Sequence, residues 1–258
     1  MGWTVDGRTK HPPTWRELVN HAAEELGFSD PDLLRVRGND LQILEYYALV
    51  KGGRDALGDW LVDAVKVPDE ALADSVIHRA LADCAKAPLI YTTNYDPLIE
   101  RALELHGRPT VMLARERDFP AALEAALAGP ETCQVVKFHG DLSARETMVL
   151  TESDYEKRLK LEDEMDLRLR SDLLGRAVLF LGYSFSDANV SYIFELINEA
   201  FRELPESDYG RRAFITVADP SQFERRLFKR RGIDVIPIDS ARQADEIAEL
   251  LRFLQHDG

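Results

Sequence analysis

Four short segments of this chain gather side chains that donate, accept or exchange protons, and each follows a β-prone run. Asn94-Tyr95-Asp96 follows Pro88–Thr93, and His139-Gly140-Asp141 follows Gln134–Phe138. Gly182-Tyr183-Ser184-Phe185-Ser186-Asp187-Ala188-Asn189 follows Ala177–Leu181, and Ala218-Asp219-Pro220 follows Ala213–Val217. An imidazole, carboxylates, an amide and hydroxyls are the groups that hold polar ligands and relay protons. Ligands of an open parallel sheet bind outside the carboxyl ends of its strands, so parallel pairing would collect these segments at one edge. Gly140 and Gly182 stand where backbone must approach something closely.

Each segment also has a purely structural reading. Asp96 and the Ser186/Asp187 pair can cap helices, Asn94 can form an Asx-turn, and Asp219-Pro220 can be an ordinary turn. His139 has no capping role. It is a lone histidine between an apolar strand and a glycine, and it leads the candidates. Several common motifs are excluded. Gly52-Gly53…Gly58 is not a dinucleotide fingerprint, because no strand precedes it. The chain has no phosphate loop with its lysine and no His-Glu-x-x-His. Gly182–Ser186 resembles a nucleophile elbow without its last glycine, but that fold needs a histidine after the serine. The only later histidine is His256, almost at the chain's end.

The elements that must position these residues alternate. Thr14 and Glu17 form a capping box at the head of a helix, and Ser29-Asp30-Pro31 opens the next. Apolar positions at helical spacing then run to about residue 86 with no strand among them. From Pro88 onward the pattern becomes strand–helix. A helix starts at Asp96-Pro97, Thr110–Leu113 is a strand, and a helix covers 119–128. Residues 151–174 are helical and charged, further helices fall at about 187–203, 219–230 and 242–254, and Ile233–Ile238 is the last strand. Alternation of this kind predicts a parallel sheet covered on both faces. The fold class is therefore α/β: a Rossmann-like sheet with an N-terminal helical block.

With 258 residues, 45% of them hydrophobic, the chain can build one sizeable core. No apolar stretch approaches the roughly 20 residues of a membrane span, and the first residues do not resemble a secretion signal. The expected setting is the cytoplasm. A net charge of -14 argues against a nucleic-acid partner. The basic cluster Arg225-Arg226…Lys229-Arg230-Arg231 reads as the solvated C-terminal end of a helix, and the charged run from Lys157 to Arg170 as a solvent face. Two cysteines, Cys84 and Cys133, make neither a disulfide framework nor a metal cage, so no metal is expected.

Taken together, these residues resemble the sirtuin-like NAD-binding family, most closely its bacterial branch of NAD hydrolases, many tied to antiphage defence. Thr92-Thr93-Asn94-Tyr95-Asp96 is similar to the family's Thr-x-Asn-x-Asp element, and Lys137-Phe138-His139-Gly140 to its His-Gly element. Gly182–Asp187 is similar to its Gly-x-Ser strand end, and Pro13–Leu18 to its Pro-Thr/Ser-Trp segment. The resemblance implies a single sirtuin-like domain over 1–258, with a helical insertion at 28–87 and a parallel-sheet core at 88–258. It implies NAD as substrate, His139 as general base or ribose partner and Asn94 as the group that positions ribose or water. It implies NAD-binding roles for Thr93, Asp96, Gly140, Gly182, Ser184 and Asp187, with the adenine end near Val217–Asp219 and Val235–Ile238. A homo-oligomer and an activating protein partner are further implications. A module that senses NAD or ADP-ribose without turnover is the alternative.

The sequence departs from the family pattern twice. No cysteine follows Cys133, so the four-cysteine zinc module of the deacylases is absent, which favours NAD hydrolysis over lysine deacylation. The family's opening strand and Gly-Ala-Gly-x-Ser loop are also missing ahead of Pro13-Thr14-Trp15. The expectation is that Met1 is an internal methionine. Reading the coding DNA upstream of Met1 checks this: an open frame encoding Gly-Ala-Gly is expected, and a nearby stop codon without it counts against the expectation.

Overall fold

Capping residues set where the first helices begin. The Thr14 hydroxyl accepts from the Glu17 N–H, while the Glu17 carboxylate accepts from the Thr14 N–H at 2.7 Å, and α1 follows as Trp15–Glu25. Asp30 caps α2 (Pro31–Arg35), with proline at the first helical position. Asn39 and Gln42 form a second capping box ahead of α3 (Asp40–Lys51), which stops at Gly52 with φ +72°. The helices α4 (Asp55–Ala64), α5 (Asp69–Ala73) and α6 (Val76–Asp83) complete the block, and no strand interrupts it among the described residues.

The computed structural model describes residues 3–5, 8–158, 163–183, 191, 192, 194, 195 and 213–257. The chain divides into two compact units, Met1–Lys157 and Arg158–Gly258. In the first, β3 (Leu89–Thr92), α7 (Leu98–Leu105), β4 (Thr110–Leu113), α8 (Phe119–Ala128) and β5 (Cys133–Lys137) alternate as expected. The strands pair in parallel in the order β3-β5-β4, and every residue of the central β5 is buried. Cys133, Val135 and Val136 are apolar as a strand buried on both faces requires, while Gln134 and Lys137 are polar and buried with them. The helix α9 (Glu152–Arg158) follows.

The second unit holds α10 (Glu164–Gly175), β6 (Val178–Phe180), β7 (Ala213–Ala218), α11 (Gln222–Arg230), β8 (Ile233–Ile238) and α12 (Gln243–Asp257). Its strands are also parallel, in the order β6-β7-β8. Parallel pairing in both units bears out the α/β reading.

One core in the first unit explains why the helical block exists. Leu18, Val19, Ile43, Leu44, Leu57 and Leu61 pack with Leu142, Met148 and Leu150, so the block covers the segment that follows the histidine strand.

Several expectations need correction. A short antiparallel ribbon, β1 (Trp3–Val5) with β2 (Arg8–Lys10), precedes α1 where no strand was expected. The Asp6-Gly7 pair between Val5 and Arg8 is a hairpin signal that the sequence reading passed over. The histidine strand runs 133–137 rather than 134–138, and α7 begins at Leu98, with Pro97 rather than Asp96 at its cap position. The charged run is not all solvent face. Arg158 and Asp166 are 7% and 1% exposed and form an ion pair, because charges leave water only when paired. Most of the helix expected at 187–203 lies outside the described residues.

Candidate functional site

β5 carries a lysine in a fully buried strand. Lys137 is 1% exposed and stands opposite Thr92 of β3. Its ammonium donates to the Asp96 carbonyl and lies 3.2 Å from Glu100 Oε1 and 3.4 Å from Asp141 Oδ2. One cation thereby joins the turn after β3, the helix α7 and the turn after β5. The Glu100 carboxyl records the cost of its position. Burial raises its pKa above the ordinary range, Lys137 pulls it back, and Asp141 adds to the rise.

Two residues beyond Lys137, His139 is 3% exposed. The Val149 N–H donates to its carbonyl at 2.9 Å, and Tyr95 Oη donates to the Val149 carbonyl at 2.6 Å. The Leu142 N–H donates to the Tyr95 carbonyl at 3.1 Å, which ties the β3 turn to the β5 turn again. The imidazole meets the Tyr155 ring edge-on, with centroids 5.4 Å apart, and its Nδ1 is 3.5 Å from Tyr155 Oη. Gly140 has φ +85°, and a Cβ there would sit 2.3 Å from the Thr147 carbonyl oxygen. The close approach that requires glycine is thus made by the chain's own backbone.

The segment lying over His139 is anchored to the helical block. Asp154 Oδ2 accepts from the Leu150 and Thr151 N–H groups at 3.1 Å and from Arg54 Nη1 at 2.8 Å. Arg54 Nη1 also donates to the Met148 carbonyl at 2.5 Å. Glu45 accepts from the Ser153 N–H at 3.0 Å, and Gln42 donates to Glu152 at 2.9 Å. Burial raises the Asp154 pKa, but the two backbone N–H groups and Arg54 outweigh it and leave the carboxyl below its ordinary range.

Thr93, Asn94, Asp96, His139 and Gly140 all lie on the two turns that Lys137 joins. Asn94 is exposed, and its N–H donates to Thr92 Oγ1 at 3.1 Å, so a threonine hydroxyl organises this turn. Thr93 is half-buried. Asp96 Oδ1 accepts from the N–H of Leu98, the first residue of α7, at 3.0 Å, although Pro97 and not Asp96 directly precedes the helix. Gly182 belongs to the second unit, follows β6, has φ +61° and has open space where a Cβ would go. In that unit Asp219, at φ +44°, donates its N–H to the Ile238 carbonyl at 2.9 Å and joins the ends of β7 and β8. Ser184 and Asp187 lie outside the described residues. Sequence reasoning missed Lys137, Glu100 and Tyr155. A lysine inside an apolar run was a usable signal for the first, since lysine is buried only when paired. Tyr155 carries no local signal.

Cys84 and Cys133 are buried free thiols, and burial pushes Cys133 up to about 11. Among the described residues no cluster of three or more His, Cys, Asp or Glu could hold a metal ion, and no helix is long and apolar enough to cross a membrane.

Comparison with known proteins fits this geometry. A family model described as SIR2-like domain matches residues 88–236, from β3 into β8. The chain belongs to the SIR2-like family. The match runs from just before β3 to the middle of β8 and includes the turns that follow β3, β5, β6 and β7. This SIR2-like chain is 29% identical over 240 residues to NAD(+) hydrolase ThsA of Cytobacillus dafuensis, covering 93% of this chain and 45% of that protein. It is 31% identical over 264 residues to NAD(+) hydrolase ThsA of Enterococcus faecium, with 93% and 52% covered. It is 26% identical over 267 residues to defense-associated sirtuin 2 of Bacillus subtilis, with 98% and 24% covered. The SIR2-like chain spans about half the length of the ThsA relatives.

Two outcomes are expected from the buried charges. Lys137→Met leaves Glu100 and Asp141 buried without their cation, and should destabilise the first unit by about 3–5 kcal/mol. Urea unfolding followed by tryptophan fluorescence reads this unit, because all three tryptophans lie in it. Asp154 has a depressed folded pKa, so its contribution is present above the unfolded carboxylate pKa and is lost as pH falls through the folded value. Asp154→Asn should lower stability at neutral pH and flatten the acid side of a stability–pH curve. An unchanged acid limb would remove Asp154 as its cause.

Proposed function

We propose that this chain is the catalytic part of an NAD hydrolase that splits NAD into nicotinamide and ADP-ribose. In this reaction water adds to the ribose carbon that bears nicotinamide, nicotinamide leaves with the bonding electron pair, and one proton is released. His139 takes the proton from water or from a ribose hydroxyl, and the Asn94 amide orients ribose or water. Asp96 holds the nicotinamide side, Gly182 and Ser184 approach ribose and phosphate, and Thr93, Gly140 and Asp187 complete the NAD-binding set.

The observation that carries the reading is the joining of the Asn94 turn and the His139 turn, at the carboxyl ends of neighbouring parallel strands, by one buried lysine. That is where an open α/β sheet binds its ligands. Relatives named NAD(+) hydrolase and defense-associated sirtuin support the same reaction and an antiphage role. The 3% exposure of His139 supports activation by a partner protein or by self-association that uncovers the imidazole. The same burial is what favours the second reading, a module that binds NAD or ADP-ribose without turnover.

Free nicotinamide, measured after incubating the purified chain with NAD, separates the two. Release is expected, and His139→Ala and Asn94→Ala should each lower it by about 100-fold or more, the scale of lost acid–base catalysis. ADP-ribose binding by calorimetry with no release under any condition leaves the sensor. Release that persists in His139→Ala removes His139 as the base.

A further inference from the structure

Tyr155 is placed to decide which nitrogen of His139 carries its proton. A neutral imidazole has one N–H, and it acts as a base only through the other nitrogen. Tyr155 Oη lies 3.5 Å from Nδ1, a long hydrogen bond of the kind often found between catalytic groups before substrate binds. The tyrosine ring meets the imidazole edge-on at 74°, so the side chain touches the histidine along its face as well as at its tip. Phe138 packs against the imidazole too, with centroids 5.4 Å apart, and holds the ring without a polar group.

The backbone that carries Tyr155 is fixed with unusual thoroughness for the start of a short helix. The Tyr155 and Asp154 N–H groups each donate to the Thr151 carbonyl at 3.1 Å. Asp154 clamps Leu150 and Thr151 and pairs with Arg54, and Ser153 is held by Glu45. Val149, at the other end of the same segment, is bonded to the His139 carbonyl. The histidine and the tyrosine are therefore set by one continuous stretch, itself tied to α3 through Glu45 and to Arg54 at the head of α4.

We propose that Tyr155 is a positioning residue: its hydroxyl oxygen accepts the Nδ1–H of His139 and so leaves the Nε2 lone pair as the base. The opposite arrangement, with the tyrosine donating to Nδ1, would place the proton on Nε2 and leave no base in the neutral ring. This rests on the reading of His139 as the base in NAD cleavage. A phenylalanine at 155 would keep the ring contact and remove the hydroxyl that faces Nδ1. Imidazole without an acceptor on Nδ1 favours the Nε2–H form in water, so loss of the hydroxyl should swing the proton to the wrong nitrogen.

The test is nitrogen NMR of the full chain labelled with 15N-histidine, with the His139 signals assigned by their loss in His139→Gln. Nicotinamide release is measured on the same samples. The wild-type spectrum is expected to show protonated Nδ1 and bare Nε2. Tyr155→Phe, checked for folding by circular dichroism, should shift His139 towards the Nε2–H form and lower kcat about tenfold or more at an unchanged KM for NAD. An Nε2–H tautomer in the wild-type chain overturns the proposal without any variant. So does a tautomer and kcat that Tyr155→Phe leaves unchanged. If the tautomer moves as expected but neither chain releases nicotinamide, the tyrosine–histidine assignment stands and the NAD hydrolase reading falls.

Discussion

A single buried ammonium group fixes the geometry of the candidate site. Lys137 sits at the end of the central strand with no access to water, and it is neutralised by Glu100 on α7 and Asp141 on the next turn. Taking three charges out of water is unfavourable unless each finds its partner at short range. Each of them therefore limits where the others can be. The strand register already places Thr92 beside Lys137, and the Asp96 carbonyl then receives one of the ammonium hydrogens. The two turns that carry Asn94 and His139 have little freedom left. A hydrophobic residue at 137 could fill the same volume, but it would not specify the path of either turn.

Around that cation the histidine is enclosed by chain from its own neighbourhood. Thr147 and Met148 pass so close to Gly140 that no side chain fits there, and Val149 bonds back to His139. The glycine of the His-Gly element is thus accounted for by steric need within the protein. The asparagine of the other element is the opposite case: Asn94 is exposed, and only its N–H is committed to the turn. Asp96 stands between, with one carboxylate oxygen accepting from the Leu98 N–H and its carbonyl bound to Lys137.

Much of this was legible in the sequence, for reasons that differ by residue. Capping residues such as Thr14 with Glu17, and Asp30 before Pro31, act locally, so their helices began where expected. β4 and β8 were bounded by turn residues and fell as read. The segments at 94–96 and 139–141 were found because strand ends in parallel sheets are predictable places for polar residues. What escaped depends on contacts distant in sequence. Tyr155 gains its place through Arg54 and Glu45, about a hundred positions earlier, which act on its immediate neighbours Asp154 and Ser153. The pairing of Arg158 with Asp166 escaped because a mixed-charge run reads as solvated until its burial is known. The β1–β2 ribbon escaped because its three-residue strands carry little pattern of their own, so the Asp6-Gly7 signal between them was passed over.

The shared core of the first unit has a consequence for how the chain is made. Leu142, Met148 and Leu150 bury themselves against Leu18, Val19, Ile43, Leu44, Leu57 and Leu61, all of which are synthesised earlier. Domains tend to fold from the N-terminus as they leave the ribosome. The helical block can therefore present much of its apolar surface by the time the histidine loop emerges, and Asp154, made a few residues later, then clamps the loop's end. In a vectorial process of this kind, the block acts as an internal scaffold for its own downstream neighbour.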